Sequence, residues 1–287
     1  MSIPDPSPST APIGAISVAP WRQIPGATAF EILRVRHRPW ADSALASLAL
    51  AVLCLLLSAL DTRSLHDVSV WSKPAKFALS MTVLFGSLAW FARELPDDYF
   101  ARRTGSAVTQ ILCWSAWLEM LYICVQAARG EASHYNDSSE LTRLLYGAMA
   151  WLAIALVAAC AWLGAAVLRH RGTAEPYAFG VGLGLLLTCA LGGGFGLYLG
   201  SQGGHWVGAP ATDSGGLPLV GWSRAGGDLR VAHFFGIHAL QALPLIGWGV
   251  ARLRLAHGDL LVLAAALVYT AFTAATFVQA VAGRPFL

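Results

Sequence analysis

The residues best equipped for chemistry sit in one stretch, E-M-L-Y-I-C-V-Q-A-A-R-G-E-A-S-H-Y-N, from Glu119 to Asn136. Residues 107 to 128 are otherwise apolar enough to cross a bilayer. Glu119 is therefore expected near the middle of that span, where a charge costs about 2.5–3.5 kcal/mol or more. A carboxyl placed there is expected to have a task. On a helix, Tyr122 and Gln126 share its face, which leads outward to Arg129, His134 and Asn136.

A second stretch, G-G-D-L-R-V-A-H-F-F-G-I-H-A-L-Q, brings Asp228 and Arg230 to the start of another apolar run and places His233, His238 and Gln241 inside it. At helical spacing these last three cover an arc of about 140 degrees, wide enough to line a cavity and too wide for the four-spaced histidine pair of zinc proteases. The third is W-S-K-P-A-K-F, which holds the only two lysines, Lys73 and Lys76. Ser72 is suited to cap a helix there and Pro74 to its first turn. Lys76 then meets the positive end of the helix dipole, a conflict relieved either by an anionic partner or by snorkelling to headgroups.

Two chemistries follow from these residue types. Lys73, Lys76, Arg129 and Arg230, with two helix N-termini, make an anion site, with Gln126, Asn136, Asp228 and Gln241 as further binding groups. His134, His233 and His238, with Glu119 and Asp228, make a ligand set for a divalent metal with an open position for water. The plain alternative is that each histidine bonds a neighbouring helix and Glu119 bridges helices through Tyr122 or Gln126. Desolvation argues for shared partners, so Glu119 and the three histidines are expected to act as one unit.

The elements that must position these groups are all helical. The chain has 287 residues, 56% hydrophobic and 12% charged, the profile of a multi-span membrane protein. Apolar runs near 42–60, 74–92, 107–128, 145–168, 177–199, 231–251 and 259–282 predict an all-α bundle of seven transmembrane helices. These continuous runs lack the alternation of an outer-membrane barrel. Lys and Arg number 11 on the side of the N-terminal tail and 8 on the other, which predicts a cytoplasmic N-terminus and an outward C-terminus. The three polar stretches then converge on the outer half of the membrane.

Residues 1–40 read as a disordered tail followed by a short basic interfacial segment from Trp21 to Trp40. Residues 41–287 read as the membrane domain, with a long glycine-rich outer loop at about 200–230. The glycines of the fifth span are expected to permit close helix approach. The five cysteines all fall inside spans, at no metal or disulfide spacing. The basic residues are scattered over the loops, which excludes nucleic acid as a partner and leaves membrane lipids and an anionic small molecule or headgroup.

The segments Q-A-A-R-G-E-A-S-H-Y-N and G-D-L-R-V-A-H resemble those of a group of uncharacterised bacterial polytopic inner-membrane proteins. That resemblance implies a bacterial inner (plasma) membrane setting and an outward site, and assigns no activity. Seven-helix ceramidase-like zinc hydrolases agree in the number of spans, but their terminal H-x-x-x-H pair is absent here.

Three function classes stay open. The first is an intramembrane enzyme, with or without a metal, acting on an anionic or lipid substrate through Glu119, His134, His233 or His238 as acid or base. The second is a transporter or receptor coupling through Glu119. The third is a haem or electron-transfer protein with His233 or His238 as axial ligand.

Overall fold

The computed structural model describes residues 28–173 and 175–287. Among the described residues seven helices are long and apolar enough to span a membrane: α1 (Ala29–Leu60), α2 (Ser72–Phe91), α3 (Arg103–Arg129), α4 (Glu140–His170), α5 (Pro176–Gly200), α6 (Arg230–Arg252) and α7 (Gly258–Val281). Their outer faces carry large apolar side chains, with Leu56 59%, Trp151 73% and Leu267 65% exposed. Hydrocarbon suits such surfaces, and a helix suits hydrocarbon because it satisfies its own backbone.

Most of the expected interfacial segment, Trp21 to Trp40, joins the first span in one kinked helix; its residues 21–27 lie outside the described part. Thr28 and Glu31 form a reciprocal capping box at the start of α1, and the break falls at His37 (φ −159°, ψ 95°), two residues before Pro39. Pro39 has no N–H for the carbonyl four residues back, and its ring crowds that carbonyl. The expected tail before residue 28 also lies outside the described residues.

Packing runs around the bundle in chain order, with α1 along α2, α3 along α4, α4 along α5, α5 along α6 and α6 along α7. The closest approach is α5 on α6, where glycines let two backbones touch. A Cβ built on Gly184 would lie 2.7 Å from the Ala239 carbonyl oxygen, and one on Gly236 would lie 2.6 Å from the Gly192 nitrogen. That is the small-residue helix packing expected from the sequence. Within α5 the turn Thr188–Gly193 is widened into a π-helix. Thr188 takes up bonds across the contact, its hydroxyl donating to the Ile237 carbonyl (3.2 Å) and accepting from the Leu240 N–H (3.1 Å).

At one end of the bundle the loops interlock into a cap. The hairpin β1 (Ser64–Leu65) and β2 (Val68–Ser69) turns through His66 and Asp67, both at positive φ. That turn matches the twist of a hairpin. The long loop is closed by β3 (Trp206–Val207) pairing with β4 (Gly227–Asp228). The two loops join where the Asp213 N–H donates to the His66 carbonyl (3.1 Å) and the Thr212 hydroxyl donates to Asp67 (2.7 Å). Gly130, in the left-handed region at φ 77°, ends α3 and turns the chain into the same cap.

The expected Ser72 cap shifts by one residue. Ser72 is the first residue of α2, and Trp71 holds the cap position without a side-chain bond to the helix. The entry is fixed instead by Asp61, which accepts from the Trp71 indole (2.8 Å) and pairs with Arg63 (2.7 Å). Leu229 occupies the cap position of α6, yet Asp228 beside it still accepts from the Arg230 N–H at 3.0 Å.

Replacing Gly184 with Val should lower unfolding stability in detergent by about 1–3 kcal/mol, the usual cost of overpacking. Replacing Gly86 with Ala, where nothing lies within 4 Å of the added carbon, should leave it unchanged or slightly raised; equal losses would contradict the backbone contact.

Candidate functional site

The site is built under the cap, where α2 and α6 begin. Arg230 is the first residue of α6, and its guanidinium grips Asp228 at two points, Nε to Oδ1 (2.9 Å) and Nη2 to Oδ2 (2.7 Å). Asp228 is fully buried at its side chain, and its Oδ2 also accepts from the Ser223 N–H (2.9 Å). The Arg230 Nη2 donates to the Gly221 carbonyl (2.7 Å) and lies 2.8 Å from Asp213 Oδ1. Asp213 in turn sits 3.2 Å from His205 Nε2. Burial raises the Asp213 carboxyl, but the His205 hydrogen bond and the Arg230 charge outweigh it and hold it at about 2. Burial pushes the His205 imidazole down.

The lysines face this network from α2. The Lys76 ammonium donates to the Val220 carbonyl at 3.1 Å, so its partner is a backbone oxygen and not an anion. Lys73 is half-buried at the second residue of α2, with its ammonium 5.9 Å from the centre of the Phe77 ring. Among the described residues no carboxylate lies within ion-pair distance of it; Arg230 engages Asp228 through both oxygens and Asp213 through Oδ1.

His134 stands on the turn after α3, in an aromatic setting made by Phe77 (5.9 Å), Tyr135 (6.3 Å) and Tyr146 (5.5 Å). Burial and then the Lys73 ammonium hold it well below the ordinary histidine range, and His233 adds to the effect. Its Nδ1 lies 3.1 Å from the Ser133 hydroxyl. Gln126 and Asn136 both donate to the Ala132 carbonyl, at 3.2 and 2.9 Å, and so shape this turn instead of facing a ligand. Tyr135 and Tyr146 tie it to the end of α5, donating to the carbonyls of Leu199 (3.2 Å) and Gly200 (3.1 Å).

His233 is seated by the π-turn of α5. Its Nδ1 donates to the Gly192 carbonyl at 2.9 Å, and its ring covers Gly196, where a Cβ would lie 2.9 Å from Cε1. Such widened turns recur at functional sites because they free a carbonyl from its helix. Deeper along α6, His238 Nδ1 meets Gln241 Oε1 (3.0 Å), and the Gln241 amide reaches Ser87 of α2 (3.2 Å).

The structure thus gathers Lys73, Lys76, His134, His233, Asp228 and Arg230; Gln126 and Asn136 bond the Ala132 carbonyl, His238 and Gln241 pair deeper along α6, and Glu119 and Arg129 lie apart. Arg129 is exposed and paired with Glu131 at 2.9 Å. Glu119 lies ten residues before the end of α3, about 15 Å into the span. Its Oε1 is buried without a hydrogen-bond partner, and its carboxyl bonds none of the three histidines. Among the described residues no group of three or more His, Cys, Asp or Glu is placed to hold a metal ion. The expected divalent-metal site therefore has no ligand set to rest on. All five cysteines are free.

Sequence reasoning passed over His205, Asp213, Tyr135, Tyr146, Gly192 and Gly196 as site members. Asp213 lies in the glycine-rich loop, 17 positions before Arg230, where no local spacing ties the two. Comparison with protein-family models, curated proteins and solved structures found no match to the chain.

The depressed His134 and His205 set a pH response. Both rings are neutral in the fold and have an ordinary value of 6.5 once opened. Their contribution is therefore complete above that value and is lost as pH falls below it. Asp213 stays ionised across this range, so the cap, residues 130–139 and 201–229, should lose hydrogen-exchange protection between about pH 7.5 and about pH 5.5. Protection that stays constant after correction for intrinsic exchange would contradict the burial of these rings.

Proposed function

We propose that this chain is an integral membrane protein that binds an anionic ligand under its loop cap, beside Lys73, His134 and His233. The observation that carries the reading is the half-buried Lys73 ammonium without a counter-anion. Around it, three basic side chains, Lys73, Lys76 and Arg230, stand against the two carboxylates of Asp213 and Asp228, both of which Arg230 engages. A cation left unpaired at this depth is costly, and an anion held by it gains from the low dielectric. The start of α2 adds its own N–H groups and dipole on the same side.

The neutral His134 beside that ammonium also supports acid–base chemistry on whatever the lysine holds. On this reading the protein is an enzyme whose anion is its substrate. Binding alone, or binding with movement of the anion across the membrane, is the receptor or transporter reading. Glu119 has no part in either.

Orientation belongs to the same proposal. The excess of Lys and Arg on the side of the N-terminus puts the cap on the outer face. In a bacterial inner membrane that face meets the periplasm.

Sulfate or phosphate added to detergent-purified protein should raise its unfolding temperature in a saturable way, and Lys73→Met should abolish the shift. A shift that survives in Lys73→Met would refute the site. Reporter fusions at Leu287 and near Asp213 should both report the outer side; a cytoplasmic signal from either would reverse the orientation.

A further inference from the structure

The end of the bundle opposite the cap carries a cluster of donors that the cap site does not use. Three helices meet there. Arg36 stands on α1 just before its kink, Trp90 is the last residue but one of α2 with Arg93 in the short turn after it, and Tyr177 is the second residue of α5. The Trp90 ring is their common plate. The Arg36 guanidinium lies 3.8 Å from its centre and that of Arg93 5.8 Å, so the two cations are no farther apart than the sum of those distances. Arg93 is also 5.1 Å from the centre of the Tyr177 ring.

Stacking on an indole contents the flat face of a guanidinium and leaves its edge of N–H donors unmet. For the Arg36 edge the structure gives one acceptor, the Trp90 carbonyl at a long 3.4 Å. Its chain neighbours Arg34 and Arg38 both pair with Asp42, at 2.8 and 3.3 Å, yet among the described residues no carboxylate lies within ion-pair distance of Arg36. Glu94 pairs with Arg93 through Nε alone. Tyr177 adds a hydroxyl that is buried without a hydrogen-bond partner, a rarity that asks for an explanation.

These demands are of one kind, because all three side chains offer donors and lack an acceptor. We propose that Arg36, Arg93 and Tyr177 bind the phosphate of an anionic phospholipid, the two guanidiniums on separate oxygens and the tyrosine hydroxyl donating to a third. Charge-assisted bonds of about 2.7–2.9 Å on either side of one phosphate span the gap between the cations, and the planar fork of arginine matches such oxygens in pairs. The position selects a lipid over a soluble ion. Trp90 and Arg93 lie where a spanning helix ends, the level at which indoles and headgroups meet, and Val35 beside Arg36 is 75% exposed, an apolar surface suited to acyl chains.

The test uses the whole chain carrying Lys73→Met, which silences the cap site, and follows the unfolding temperature in detergent as a probe is titrated in. Dioctanoyl phosphatidylglycerol should raise it saturably, at a concentration about tenfold lower than dioctanoyl phosphatidylcholine needs, since choline brings a further cation to the arginines. Arg36→Gln should weaken that response about tenfold, the scale of a lost charge-assisted bond. Tyr177→Phe, which removes only the hydroxyl, should weaken it several-fold, and Arg93→Gln, at an exposed position, gives the same reading should Arg36→Gln fail to fold. Inorganic phosphate should have no effect in this background; a phosphate response that Arg36→Gln removes would overturn the lipid as occupant in favour of a soluble oxyanion. A phosphatidylglycerol response that is absent, or that all three substitutions leave unchanged, would overturn the site itself.

Discussion

A guanidinium at the head of a membrane-spanning helix has to find its countercharge within reach or not be there at all. Arg230 finds two, and almost everything at the capped end follows from how it holds them. Asp228 is next to it in the chain, so its capture fixes the entry to α6 and the β3–β4 ladder. Asp213 lies 17 positions before it, so its capture closes the glycine-rich loop over the bundle and onto the hairpin at His66. Breaking such a buried pair would leave a charge uncompensated, which is why the network acts as a latch. Arg230 engages Asp228 through both oxygens and Asp213 through Oδ1. Lys73, the second residue of α2, is in ion-pair contact with neither, and this is what turns a structural network into a binding proposal.

The second constraint is the contact between α5 and α6. Glycines bring two backbones together closely enough that side-chain space disappears, and the chain answers with one widened turn at Thr188–Gly193. A carbonyl of that turn, that of Gly192, accepts from His233. The placement of a single imidazole therefore depends on Gly192, Gly196 and Gly236 at once, and its tautomer is set by the Gly192 carbonyl. Packing and chemistry are the same contact here.

Much of the architecture was legible in the sequence because a bilayer enforces run length. Seven apolar stretches became seven helices among the described residues, with starts that reach back from 42 to Ala29 in α1 and from 145 to Glu140 in α4, where Thr28 and Ser139 cap them. The glycine pattern correctly announced close packing of the fifth span. Local chemistry was harder to read. Glu119 stood out by its cost, but cost says nothing about partners, and depth along α3 separates it from the turn that carries His134. Arg129 looked like a site cation because it is near His134 in the chain; its pairing with Glu131 two residues away takes it outward. The role of Asp213 depends on a long loop folding back across the molecule, a long-range closure that no local spacing encodes. The π-turn likewise sits at a tertiary contact, where the Thr188 hydroxyl bonds to α6.

The central claim is that the ammonium of Lys73 waits for an anion. Its most direct test is an experimental structure of the protein in lipid nanodiscs with phosphate present, at a resolution that defines side chains and bound oxyanions. The account predicts tetrahedral density within about 3 Å of Lys73 Nζ, bordered by His134 and His233, with the Arg230 pairs to Asp213 and Asp228 intact. A Lys73 side chain turned out to the headgroups, or paired with Asp213 in place of Arg230, would contradict it.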